Sequence, residues 1–459
     1  MCDDSDEIGI SYGGRHEDPT VGVGHHDSLE ETANYLCSTK GGWKRPQVGF
    51  VGYGNVSKGD RVLIAATSLH DKHVLDAVSA SLRNKGAKTV DVLLIDWGQD
   101  REFQYEDEVR WIIRREHWRD NPRWYDYQEK IVDYAKASGY DFLIHGRGGP
   151  IPETSFKFEA IPWTTARMFT DKSTLFPPKL NELINLKTWN MIFKQGRGGK
   201  VRLTDPEGTD LEYTLLERYF ESERRGFSEV PSLGHLHGHP TPPIILEDNT
   251  KGVVSGTTSH LSRPFPSLNL ELEGDRVTDV KGGAGYGKAW KDLLEETSDI
   301  KYPEFPGKGL FWLWETAIGT NPKIRRQPDV MMLHSGGFEW ERIRSGIIHM
   351  GFGTRWRGES ESWAAEKGIP YGHLHVHLLF PTYEITKGGK TTTVIEDGHM
   401  TALDDPEVKD LARKYGDPEE ILSEDWKAPI PGISAPGDYL KDYAQNPYDW
   451  IKKNGLPTG

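Results

Sequence analysis

From Arg61 to Ile95 the chain reads RVLIAATSLHDKHVLDAVSASLRNKGAKTVDVLLI. Its opening, Arg61-Val62-Leu63-Ile64-Ala65-Ala66, is a short apolar run suited to a strand buried on both faces. Thr67 to Asp71 read as a loop, with Ser68 or Asp71 as the N-cap of the next element. Val74, Leu75, Val78 and Leu82 then recur at helical spacing through Asn84. Gly86 closes that helix, and Thr89 to Ile95 reads as a second strand. Strand, helix, glycine, strand is a βαβ unit, which predicts a parallel sheet with helices on its faces.

Working outward, a helical stretch near 125–138 leads to another strand, Asp141-Phe142-Leu143-Ile144-His145. The Gly146-Arg147-Gly148-Gly149 after it lacks the GxGxxG order of a dinucleotide site and reads as a tight turn. Residues 98–124 are dense in Arg, Glu and Trp, as expected of a solvated, salt-bridged helix, a lid or an oligomer contact. Around 199 the pattern changes to strict alternation on either side of Pro206-Glu207-Gly208, a hairpin. Strands near 251–258, 267–273 and 276–281 and a helix near 286–297 follow. The expected fold is therefore mixed, α/β then α+β: an N-terminal arm (1–45) with a short helix at 29–39, a parallel-sheet α/β domain (46–198), a β-rich antiparallel domain (199–402), and a C-terminal tail (403–459) packed on the body or on a neighbouring subunit.

The formal net charge of −14 over 459 residues argues against nucleic acid or an anionic membrane as partner. Two cysteines, Cys2 and Cys37, make no disulfide framework, and the acidic N-terminus is unlike a signal peptide. A cytoplasmic protein is the expectation. Fifteen Trp, 18 Tyr and 16 Phe make a chain rich in rings; most are expected in the core, with some to line a pocket for an aromatic ligand.

In Tyr371-Gly372-His373-Leu374-His375-Val376-His377-Leu378, histidines alternate with apolar residues. On a strand this gives a ladder of imidazoles on one face and an apolar seam on the other. Neutral nitrogen donors on a rigid strand are a way to pre-position a transition metal. Alone, HxHxH also fits a half-exposed strand with its polar side wet. A second copy, His235-Leu236-His237-Gly238-His239, makes chance harder to invoke. Glu315 follows the apolar run Leu310-Phe311-Trp312-Leu313-Trp314, so a buried acid is expected, and a buried carboxylate must be paired, protonated or bound to a cation. His349 lies within the apolar Gly346–Gly353; a lone histidine there is more often a hydrogen-bonded core residue than a ligand.

In the order of these pieces, residues 199–400 resemble the C-terminal domain of the aminopeptidase T-type metallopeptidase superfamily, including its 2,5-dihydroxypyridine 5,6-dioxygenase-like members. The matching pieces are the Thr204–Leu211 hairpin, Gly234-His235…Pro240, Gly252-Val253-Val254, Glu315…Gly319-Thr320-Asn321-Pro322, His349-Met350-Gly351-Phe352-Gly353, His375-Val376-His377 and Glu396-Asp397-Gly398. The peptidases of that superfamily hold two metals with two Glu, two His, a Tyr and an Asp. Here the resemblance maps the second Glu to Glu315 and the histidines to His349 and His375. His235 stands where the first Glu would be and His377 where the Asp would be, and no Tyr follows Gly353. Paired cations need bridging carboxylates to offset their repulsion, so one metal is expected.

One carboxylate, two imidazoles and open positions form the pattern of non-heme Fe(II) oxygenases. The expected ligands are Glu315, His375 and His377, with His349 as a fourth ligand or a partner behind them. His235 or His237 is the candidate general base. Arg355 and Arg357 are candidates to clamp a substrate carboxylate, and His239, Trp356, Tyr371 and His373, with Trp312 and Trp314, to contact a ring. The leading expectation is a mononuclear Fe(II) dioxygenase opening the ring of a small hydroxylated or amino-substituted aromatic with O2. A hydrolase using Zn, Mn or Co (an aminopeptidase or aromatic-amine hydrolase) is the alternative, and a passive His-rich storage protein a third possibility. The resemblance also implies a homo-oligomer, a dimer or larger.

Overall fold

The computed structural model describes residues 23–40, 51–68, 70–95, 101–102, 109, 112–115, 127–146, 156–215, 235–236, 250–260, 262–326, 332–333, 341–354 and 358–455. The βαβ unit forms as its sequence asks. Helix α1 (Val23–Ser38) precedes it. Strands β1 (Arg61–Thr67) and β2 (Thr89–Ile95) pair in parallel, and helix α2 (Lys72–Asn84) connects them. Asp71 is the N-cap, its carboxylate accepting the His73 N–H at 2.8 Å, a contact worth about 1 kcal/mol. Strand β3 (Arg101–Glu102) and helix α3 (Tyr127–Ala137) lead to β4 (Phe142–His145) and β5 (Lys157–Ala160). The parallel sheet runs β2-β1-β4-β5.

Strand β1 is central, and its apolar run is buried on both faces. Val62, Ile64 and Ala66 pack against Val74, Leu75, Val78 and Leu82 of α2 and against Leu29, Ala33 and Leu36 of α1. Leu63 and Ala65 meet Val132 and Ala135 of α3. The N-terminal helix begins earlier than the expected 29–39, and its Gly- and His-rich first turn has no apolar period that would mark it in the sequence.

The second half is antiparallel. Its strands are β6 (Lys200–Asp205), β7 (Thr209–Thr214), β8 (His235–Leu236), β9 (Lys251–Thr258), β10 (Pro264–Glu273), β11 (Arg276–Gly282), β12 (Leu313–Gly319), β13 (Met332–Leu333), β14 (Ile348–Gly353), β15 (His373–Leu378), β16 (Thr382–Lys387), β17 (Lys390–Glu396) and β18 (His399–Met400). They form an eight-stranded sheet, β11-β10-β9-β7-β6-β16-β17-β18, and a four-stranded sheet, β15-β14-β12-β8; β13 pairs with β3 alone. The β6–β7 turn falls at Pro206-Glu207-Gly208, with Gly208 at φ +116°.

The two larger sheets close on one another through the apolar side of β15. Leu374, Val376 and Leu378 are wholly buried in the main core, each contributing roughly 1.5–3 kcal/mol. At Gly256 on β9 a Cβ would stand 2.7 Å from Val376 Cγ1, so a glycine there lets the sheets approach. Beyond residue 403 the chain returns over its own body. Ala428, Ile430, Tyr443 and Ile451 cover Ile347, Leu379 and Phe380, which flank the ends of β14 and β15.

Candidate metal centre

The imidazole ladder of β15 lies on the face opposite the apolar seam, and the four-stranded sheet sets its partners row by row. Directly opposed residues of antiparallel strands share a face. One row is Glu315 (β12), Gly351 (β14) and His375 (β15); the next is Ala317, His349 and His377. Gly351 leaves the space in which the first row converges: a Cβ there would lie 2.7 Å from His375 Nε2 and 3.1 Å from Glu315 Cβ. Glu315 Oε2 consequently lies 3.4 Å from both His349 Nε2 and His375 Nε2. All three side chains are buried, Glu315 at 4% exposure, as its apolar approach predicts.

His377 reaches the cluster through a neighbour. Its Nε2 lies 2.6 Å from His349 Nδ1, so one imidazole donates and the other accepts, and their tautomers are tied together. A further histidine, His260, comes from just past the end of β9. Its ring stacks on His375 at 4.1 Å, His349 stacks on His375 at the same distance, and His260 and His349 are 5.1 Å apart, so the three rings cluster. Ligand nitrogens of His260, His349 and His375 lie within 4.8 Å of one another. The sequence offered no signal for His260: Thr258-Ser259-His260 has no alternating partner, and the turn that delivers it depends on Ser262 at φ +56°.

Electrostatics keeps these imidazoles neutral. Burial, aided by like-charge influence from neighbouring histidines, holds His349, His375 and His377 well below the ordinary histidine range. Burial and His260 lower the partly exposed His373 to about 4. Neutral imidazole is the form that binds a metal. Nδ1 of His375 and Nδ1 of His377 are buried without a hydrogen-bond partner, an unusual condition for buried polar atoms. Several neutral nitrogen donors and one carboxylate, with nitrogens left unsatisfied, fit a divalent transition metal.

His373, a candidate ring contact, is 4.7 Å in ring centroids from His375 and 6.1 Å from His260. His235 is placed by its backbone, which pairs with Gly319 on β12. Trp312 and Tyr371 are packed into the main core. His237, His239, Arg355, Trp356 and Arg357 lie outside the described residues.

The sequence matches no protein-family model and no curated protein. Solved structures do resemble the fold. 2,5-Dihydroxypyridine dioxygenase from Pseudomonas putida KT2440 aligns over 82% of this chain and 97% of its own, at TM-score 0.48 and 11% identity. Wild-type AmpT from Thermus thermophilus aligns over 82% of this chain and 99% of its own, at TM-score 0.44 and 14% identity. Among the described residues no helix is long and apolar enough to cross a membrane.

Proposed function

We propose that this chain is a mononuclear metalloenzyme, a non-heme Fe(II) dioxygenase that opens the ring of a small hydroxylated or amino-substituted aromatic. The observation that carries the proposal is Glu315, which lies 3.4 Å from each of two neutral imidazoles and is the one carboxylate paired with them among the described residues. One carboxylate among neutral imidazoles offsets half the charge of one dication but only a quarter of that of two, which favours a single ion. Glu315, His349 and His375 would hold the ion, with His260 as the third imidazole and His377 behind His349. A bound Fe(II) would supply the redox chemistry for O2 that side chains lack.

The chain's own residues do the rest. His377 fixes the tautomer and ring plane of His349, as outer partners of metal-binding histidines do. His373, neutral and partly exposed beside His375, is placed to hydrogen-bond a ring hydroxyl as substrate enters, and His235, on the far strand of the same sheet, is the candidate base. Three imidazoles with a carboxylate are equally a donor set for zinc, and that supports a hydrolase as the second reading. Anaerobic purification with elemental analysis, then oxygen consumption over a panel of hydroxylated and amino-substituted aromatics, tests both. One iron per chain and Fe(II)-dependent oxygen uptake are expected. Two cations per chain, or full turnover with zinc in the absence of oxygen, would overturn the dioxygenase.

A further inference from the structure

The helix Ala284–Thr297 reaches the candidate centre through the backbone of His375. Gly283 opens this helix as its N-cap at φ +75°. Gly287 lets the first turn lie against the end of β11, where any Cβ would run into the Gly282 carbonyl. That close seat sinks Tyr286 completely into the main core. Its ring lies 4.5 Å from that of Phe265 and 6.2 Å, edge-on, from that of Trp290. From there the Tyr286 hydroxyl donates to the His375 carbonyl at 3.1 Å. A second phenol does the same upstream: Tyr302, equally buried, donates to the Pro370 carbonyl at 2.6 Å, on the lead-in to β15. β15 is the edge of its four-stranded sheet, so β14 holds it from one side only. A buried carbonyl turned away from that partner must find its donor elsewhere.

We infer that Tyr286 is a positioning residue of the metal centre: its hydroxyl fixes the peptide plane of His375 and so the direction in which the imidazole leaves the strand. The inference rests on the proposed metal centre and adds to it a residue that would touch no ion. Along a strand the Cα–Cβ direction follows the peptide planes on either side. Glu315 Oε2 and His375 Nε2 stand 3.4 Å apart, and a metal site tolerates errors of only about 0.5 Å in its donors. A rocking edge strand would exceed that at the tip of an imidazole, several bonds out from Cα. Tyr286 prevents the rocking because Phe265 and Trp290 hold its ring, so the hydroxyl is preorganised. Tyr302 makes the same kind of bond upstream of the histidine ladder, and so supplies stability without aim.

The test compares Tyr286→Phe with Tyr302→Phe in the full chain, each change removing one hydroxyl and keeping the ring. Cobalt(II) titration of the metal-free protein reads affinity and, from the visible bands, the geometry of the donors. Both variants are expected to melt a comparable few degrees below wild type when metal-free, as the loss of one buried hydrogen bond predicts. Tyr286→Phe alone is expected to bind cobalt about tenfold or more weakly, the usual size of an effect carried by a residue behind a ligand, and with altered bands. Tyr302→Phe should keep the affinity and bands of wild type. Affinity and bands unchanged in Tyr286→Phe, or altered equally in both variants, would overturn the inference and make Tyr286 a stabilising contact. Crystals of the metal-free proteins give a reading independent of any ion: His375 is expected to swing away from Glu315 in Tyr286→Phe and to stay in Tyr302→Phe. If wild type itself takes up no cobalt, the metal-centre reading fails while the crystals still decide, since a His375 ring that stays beside Glu315 without the hydroxyl overturns the positioning role.

Discussion

Gly351 carries no chemistry, yet the geometry of the centre depends on what it lacks. It stands between Glu315 and His375 in one row of the sheet, and any larger residue would intrude between their side chains. Gly351→Ala puts a methyl group 2.7 Å from His375 Nε2, closer than packed atoms tolerate. Overpacking of this kind costs about 1–3 kcal/mol. The expected outcome is a folded protein, melting somewhat lower, that has lost most of its metal; elemental analysis beside a thermal melt checks it, and undiminished metal would show that Glu315 and His375 need not meet there. At this scale much was legible in the sequence. Alternation along β15 and the apolar approach to Glu315 are local patterns, and both residues are where those patterns put them. His260 was not legible, because its place depends on a turn after β9 and on sheet-to-sheet packing, neither of which leaves a period in the sequence.

Elements hold the centre in place by their ends, and the ends of β14 and β15 are secured by the last part of the chain. Besides the apolar cover over Ile347, Leu379 and Phe380, one buried cation fastens this segment. The Lys323 ammonium, in a side chain 6% exposed, donates to the carbonyls of Glu420 and Ser423, to Ser423 Oγ and to Asp425 Oδ1, all at 2.7–2.8 Å. Trp426 lies against the buried guanidinium groups of Arg326 and Arg344 at 5.5 and 5.8 Å. Lys323→Met would leave those acceptors without their cation, which costs on the order of 3 kcal/mol. A lower urea midpoint and earlier proteolytic cleavage between residues 420 and 455 are expected. An unchanged cleavage pattern would mean that the apolar contacts alone hold the segment. The sequence suggested that 403–459 packs on the body or on a neighbouring subunit but named none of these contacts, since contacts across a hundred residues have no local signature. The βαβ unit, by contrast, was plain, because its helix, caps and strands are each specified by neighbours in sequence.

For the whole molecule, pH is the variable that sums over distant groups, and its sign can be worked out. Glu159 on β5 is fully buried in the parallel-sheet half, and burial pushes its carboxyl from 4.5 up to about 9. The folded chain therefore keeps a proton that the unfolded chain gives up near pH 4.5, so stability is greatest at acid pH and falls as pH climbs towards 9. The buried pair Asp205 and Glu207, both raised by burial, pulls in the same direction. His399 joins from the other half. Hydrogen bonds to Glu424 and Asp404 lift it from 6.5 to about 9, so its contribution is full below pH 6.5 and is lost as pH rises through 9. With a net charge already at −14, every proton lost adds repulsion to the folded chain. Stability should drop between pH 6.5 and 9, with Glu159 alone accounting for on the order of 3 kcal/mol. Glu159→Gln has no proton to lose and should flatten that part of the slope while leaving the His399 part, measured as urea midpoints of the metal-free protein across the range. If the variant and the wild type fall in parallel, Glu159 is already ionised in the folded chain, and burial in this core costs it far less than its surroundings indicate.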